Sequence, residues 1–207
     1  LADRNVSEVL EEMHRGLMRE RLRVDELLEA LRENGPHFIF LVLSVPFLQP
    51  IALPGVSTPF GFVLALVAIG LFIGRDVPIP RWVRRYALPR KGVSLLFRGG
   101  AAMFRRLERW SKPRRLPGLT TSRGALKGHA LLALVCAALL MLPLPIPFSN
   151  SLPAYVIAFI SLGYMLRDGA LFLFAYGFAL LTGAYFALIA FVGIEGIQLL
   201  ARKAWGG

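Results

Sequence analysis

The chain has 207 residues, 56% of them hydrophobic, and a formal net charge of +11. Soluble globular domains carry roughly 45–50% apolar residues, so this composition, with a mean hydropathy of +0.58, excludes an ordinary soluble domain and points to a bilayer. The single cysteine, Cys136, lies in an apolar run and excludes a disulfide framework or a cysteine-based zinc site.

Residues 5–34 predict a helix. Asn5 with Glu8 forms a capping box, Val6, Leu10, Met13 and Leu17 recur on one face, and Gly35-Pro36 ends the segment. Nothing before His37 has the apolar h-region of a signal peptide. With six basic and nine acidic side chains in residues 1–34, this stretch reads as an amphipathic cytoplasmic helix, unit 1–35 of the chain. The membrane domain is then 36–207.

The next apolar runs are short. Phe38 to Leu48 stops at Gln49-Pro50, and Phe60 to Gly74 follows a polar, proline-broken kink. At about 1.5 Å per residue the first run reaches only about 17 Å, against a hydrocarbon core of roughly 30 Å. Ala130 to Leu142 and Ala154 to Leu166 behave alike around a second kink, Leu142 to Pro153. Two arrangements house such runs: full spans joined by an outer turn, or re-entrant hairpins whose tips stop at mid-depth, where irregular backbone must be enclosed by protein or a cavity. The lengths favour the hairpins.

An offset of 92 residues pairs His37 with His129, Ser57 with Ser149, and Arg75-Asp76 with Arg167-Asp168. Apolar composition does not manufacture such polar matches, so the chain reads as one membrane unit written twice, 37–76 and 129–168. Internal repeats of this kind, parallel or inverted, are a build plan of membrane transport proteins.

Between the copies, residues 75–128 carry fifteen basic and two acidic side chains. Beside apolar runs, such a block marks a cytoplasmic loop against anionic lipid headgroups rather than a nucleic-acid-binding face. Within the linker 77–128, Val93 to Trp110 reads as an amphipathic interfacial helix, since arginines at the bilayer centre are costly. Ala170 to Ile194 is long enough to span, giving a C-terminal span over 170–194. The fold class expected is therefore an all-α integral membrane protein with two repeated kinked or re-entrant hairpins, an interfacial helix, a C-terminal transmembrane helix and an N-terminal amphipathic helix.

The chemistry on offer is sparse. His37 and His129 are candidate proton carriers, because imidazole titrates near neutral pH, with Asp76 and Asp168 as companions in proton coupling. Each histidine also suits an interfacial position, and each aspartate suits a helix cap. Arg75 and Arg167 could bind a phosphate through their planar donor forks or snorkel to the headgroups. Ser57, Thr58, Ser149, Asn150 and Ser151 open the helices after the kinks, where free backbone donors favour an anion. No nucleophile–base pair, metal-spaced ligand set or phosphate loop is present, so neither an enzyme nor a cofactor is expected.

Leu142-Pro143-Leu144-Pro145-Ile146-Pro147-Phe148-Ser149-Asn150-Ser151-Leu152-Pro153-Ala154, Leu162 to Gly169, Leu53 to Gly61, Gly74-Arg75 and Pro78-Ile79-Pro80-Arg81-Trp82 together resemble the ExoD family of bacterial exopolysaccharide-synthesis membrane proteins. The family's glutamine before its Gly-Arg pair is Gly70 here. The resemblance implies a multi-pass protein of the bacterial inner membrane linked to exopolysaccharide production. The resemblance supplies no reaction or catalytic residue; the expected ligand is an anionic lipid or a lipid-linked saccharide such as a polyprenyl-phosphate-linked intermediate, alongside anionic membrane lipids. In architecture alone the chain also resembles the DedA polyprenyl-phosphate transporters. The rival expectation is a non-transporting scaffold or regulator, acting as a homodimer or with other exopolysaccharide-synthesis proteins.

Overall fold

The computed structural model describes residues 34–49, 57–74, 116–142, 144 and 146–205, with side chains described to residue 193. The N-terminal helix, the interfacial helix and most of the basic linker fall outside these residues, as do Arg75 and Asp76. Among the described residues all regular structure is helical: α1 (Gly35–Ser44, continued by a 3-10 turn, Val45–Phe47), α2 (Ser57–Ile73), α3 (Pro117–Thr121), α4 (Arg123–Leu140), α5 (Ser151–Met165) and α6 (Ala170–Trp205).

The helix ends follow from proline and from propensity. Pro36 and Pro153 sit in the first turns of α1 and α5, where a missing N–H costs nothing. The stretch around Pro143, Pro145 and Pro147 separates α4 from α5. Two boundaries differ from the apolar runs. α4 begins at Arg123, seven residues ahead of Ala130, because Arg123 and Lys127 are good helix formers even though they are not lipophilic. α6 continues past Ile194 to Trp205 for the same reason. Loss of hydrophobicity marks where a bilayer would end, not where the helix does.

Arg123–Leu140 and Ala170–Gly193 are long and apolar enough to cross a membrane, while α1, α2 and α5 are shorter apolar helices. α2 has no charged residue, yet Phe62, Val63, Ile69, Phe72 and Ile73 are exposed on its surface.

Packing does not follow chain order. The principal partner of α2 is α4, that of α1 is α5, and α5 also packs along α6. Between apolar helices in lipid, association rests on close packing and hydrogen bonds, and here a glycine permits it. A Cβ on Gly61 would lie 2.6 Å from Met141 Cγ and 2.9 Å from the Ala137 carbonyl, so α2 meets the end of α4 backbone to backbone. Phe40, Phe47, Leu64, Leu140, Ile157, Ile160 and Phe172 fill the common core.

This packing gives the bundle two distinct ends. At the base lie the starts of α1, α4 and α6 and the end of α5. At the tip lie the ends of α1 and α4 and the starts of α2 and α5. Arg123, Lys127, Arg167 and Asp168 are the charged residues among those with described side chains, and all four are at the base.

Candidate functional site

At the base, α1 and α4 each bring one histidine to the same tyrosine. The His37 ring stacks on Tyr164 with centroids 4.4 Å apart and planes 19° from parallel. The His129 ring meets Tyr164 edge-on at 5.5 Å. Both ring nitrogens of His129 are engaged: Nδ1 lies 2.8 Å from the Tyr164 hydroxyl and Nε2 2.5 Å from the Tyr176 hydroxyl. Phe172 stacks flat on the His129 ring at 4.1 Å and 4°, so the imidazole cannot tilt out of line. Gly163 makes room for that phenyl ring, since a Cβ there would stand 2.8 Å from Phe172 Cζ. His37 and His129 are both buried, and His37 Nδ1 has no hydrogen-bond partner among the described residues.

The turn between α5 and α6 frames this cluster. The Asp168 N–H donates to the Gly163 carbonyl and the Arg167 N–H to the Tyr164 carbonyl, a Schellman ending in which Arg167 takes the left-handed position at φ 51°. The buried Asp168 carboxylate accepts the Ala170 N–H at 3.0 Å and so caps α6. Capping fixes the angle at which Phe172 and Tyr176 approach His129.

At the tip, the two pairs of helices are tied to each other. Ser151 donates to the Gln49 carbonyl at 2.6 Å and Tyr155 to the Leu48 carbonyl at 2.8 Å, while Thr58 donates to the Met141 carbonyl at 3.1 Å. Ser149 is buried and donates within its own turn, to the Ile146 carbonyl at 2.7 Å. Tyr185 of α6 reaches the Pro147 carbonyl. Ser57 Oγ and Asn150 Oδ1 are different: both are buried and neither has a partner among the described residues. The buried hydroxyls of Ser44, Ser161 and Thr182 each bond a carbonyl of their own helix, so an unsatisfied polar atom is not the rule in this interior. Each such atom costs about 1–3 kcal/mol unless something pairs with it.

The predicted site residues therefore fall into two groups. Ser57, Thr58, Ser149, Asn150 and Ser151 gather at the tip; His37, His129, Arg167 and Asp168 gather at the base. α5 separates them by its 15 residues, about 22 Å, so Arg167 and Asn150 cannot hold one phosphate together. Tyr164 and Tyr176 were not singled out from sequence, where tyrosines in apolar runs look like core aromatics. They lie on either side of the Arg167-Asp168 turn, and folding that turn back would have put both at the level of the histidines.

The family model described as "Exopolysaccharide synthesis, ExoD" matches residues 6–188, a stretch that holds both histidines, both tyrosines and both kinks. The chain belongs to the ExoD family. Protein ExoD of Rhizobium meliloti (strain 1021) is 30% identical over 202 residues, covering 97% of this chain and 84% of that protein. An uncharacterized protein of Synechocystis sp. is 28% identical over 173 residues, covering 83% of this chain and 80% of its own length. No solved structure matches. The ExoD match thus runs from the N-terminal segment to Leu188 in α6 and takes in base and tip alike.

Proposed function

We propose that this ExoD-family chain is a multi-pass inner-membrane protein that binds or passes a polyprenyl-phosphate-linked saccharide during exopolysaccharide synthesis. In this reading the base faces the cytoplasm. Arg123, Lys127 and Arg167, together with the basic linker, receive the phosphate there, and the tips offer hydrogen bonds to saccharide hydroxyls inside the bilayer. The positive-inside bias supports that orientation.

The observation that carries the proposal is the position of the tips along α6. From Phe172 at the base to Tyr185 at the tip, α6 rises about 20 Å, well short of the roughly 30 Å hydrocarbon core. It then continues with Leu188, Phe191 and Val192 exposed by 59%, 60% and 58%, adding about 12 Å of greasy helix to Gly193. A bilayer covering that helix encloses the tips short of its far surface. Polar groups buried there, Ser57 and Asn150 among them, are what a re-entrant hairpin would supply to a ligand.

The duplicated build is supported by the crossed packing. Each second arm docks on the first arm of the other pair, and each places a hydroxyl near its start, Thr58 or Ser151, on the carbonyl that ends that first arm, Met141 or Gln49. Met141 follows Gln49 by 92 positions and Ser151 follows Thr58 by 93, so the two units pair with a one-residue slip between arms. The role is binding and passage rather than covalent catalysis.

The test is saturable binding of polyprenyl phosphate, and of the same lipid carrying an oligosaccharide long enough to reach from base to tip, to the purified chain in nanodiscs. Base variants such as Lys127→Ala should weaken both ligands. Asn150→Ala should weaken the sugar-bearing lipid alone. Absence of saturable binding to either lipid overturns the proposal and leaves the scaffold reading.

A further inference from the structure

The bundle divides into two blocks of helices. α2 and α4, with α3, form one; α1, α5 and α6 form the other. The principal packing partners lie within a block, and so do other close contacts. Gly61 brings α2 backbone to backbone with α4, and Thr58 ties the same two helices. In the other block Gly163 admits Phe172, Ser151 and Tyr155 bond the carbonyls just beyond α1, and Tyr155 stacks on Phe178 of α6. His37 stacks on Tyr164 within this block too.

Between the blocks the contacts change character. Through the core they meet in apolar side chains, Leu64 and Leu140 from one and Phe40, Ile157 and Phe172 from the other, and packed helices can shift past one another at such surfaces. At the tip Phe47 meets Phe60 edge-on at 5.5 Å. At the base α4 reaches across with His129, which bonds Tyr164 at 2.8 Å and Tyr176 at 2.5 Å and stacks on Phe172. A hydrogen bond weakens steeply once its distance and angle drift. These two therefore hold the base in one register and let go over a small displacement.

The chain passes between the blocks at the tip, from Gln49 to Ser57 and again from Met141 to Asn150. The other connections, from α2 to α3 and from α5 to α6, each begin and end in one block. Hinges are a few loop or element-terminal residues, so the end with both crossings is where the blocks pivot. The base has no such crossing and parts once the His129 bonds break. Arg123 and Lys127 belong to one side of that parting and Arg167 to the other.

We infer that His129, through Tyr164 and Tyr176, latches the base of the bundle, and that the two blocks open there by pivoting about the tip. The latch governs access to the base site of the ligand reading and rests on that reading only for what enters. Opening is measured without a lipid ligand, so its failure and a failure of binding are separate results.

Spin labels report the opening on the full chain in lipid nanodiscs, with the buried Cys136 replaced by alanine. Gly124→Cys with Leu173→Cys spans the blocks at the base, and Val45→Cys with Leu142→Cys spans them at the tip; all four positions are exposed. Tyr164→Phe combined with Tyr176→Phe keeps both rings and removes both hydrogen bonds. The ratio of long to short distances at the base should then rise on the order of 10-fold, the scale of two lost hydrogen bonds, while the tip pair keeps its parental distances. His129→Phe, which retains a ring against Phe172, should do the same. Thr58→Val breaks a tie inside one block and should leave the base distances as in the parent. Parental base distances in both latch variants, equal opening of the base in Thr58→Val, or spreading at the tip in place of the base overturns the latch.

Discussion

Ser151 and Gln49, 102 positions apart in the chain, are joined by a 2.6 Å hydrogen bond from hydroxyl to backbone carbonyl. Its counterpart joins Thr58 to Met141. These bonds cross from one helix pair to the other at the partly buried tip. Ser151→Ala removes this donor from the Gln49 carbonyl and should lower stability by about 0.5–1.5 kcal/mol. Thr58→Val should act in the same direction. Thermal unfolding in nanodiscs measures both, and a parental melting temperature in each variant would mean that the ties contribute nothing.

Gly163 and Gly128 make opposite predictions for the same substitution. Both are helical, so alanine is intrinsically favoured at each by up to about 1 kcal/mol. At Gly128 a Cβ meets nothing within 4 Å, and Gly128→Ala should raise stability by a few tenths to about 1 kcal/mol. At Gly163 the Cβ would collide with the Phe172 ring, and overpacking costs about 1–3 kcal/mol. Gly163→Ala should therefore destabilise, and it should disturb His129 through the displaced phenyl ring. The same nanodisc melts, with the 15N signals of His129, separate the two cases.

Much of this arrangement was legible in the sequence. Proline and polar residues marked the kinks, and the runs between them gave the helices. What the sequence did not reveal was the crossing of arms. Apolar helices such as α2 carry no side-chain code for their partner, and the choice of α4 over α1 rests on a glycine contact visible only in three dimensions. Tyr164 and Tyr176 were hidden because a hydroxyl at the edge of an apolar run has no periodic signature. The separation of Arg167 from Asn150 was hidden for a simpler reason: one helix of 15 residues stands between them.

Ser57 and Asn150 should trade stability against function. Replacing a buried, unpartnered hydroxyl by a methyl group removes an uncompensated polar atom, so Ser57→Ala should leave the melting point unchanged or raise it by the equivalent of up to about 1 kcal/mol. If the tip serves a ligand, exopolysaccharide yield in a strain dependent on the variant should nevertheless fall. Residues kept at a cost to stability are expected where function needs them. A stabilised variant with full yield would assign Ser57 no part in the activity.

Arg167 offers the cleanest separation of folding from binding at the base. Its backbone holds φ 51° at the end of α5, a conformation that costs a non-glycine residue about 1–3 kcal/mol and that glycine adopts freely. Arg167→Gly therefore relieves backbone strain while deleting the guanidinium. The Schellman bonds from Arg167 and Asp168 to Tyr164 and Gly163 are main-chain bonds and survive the change. The backbone part of the stability should rise with the relieved strain, while binding of polyprenyl phosphate weakens. Arg167→Lys retains the charge and the strain but loses the planar donor fork, so its affinity should fall between the two. Titration of all three proteins with polyprenyl phosphate, alongside melting curves, reads out both quantities. Equal affinity in parent and Arg167→Gly would remove Arg167 from the phosphate site.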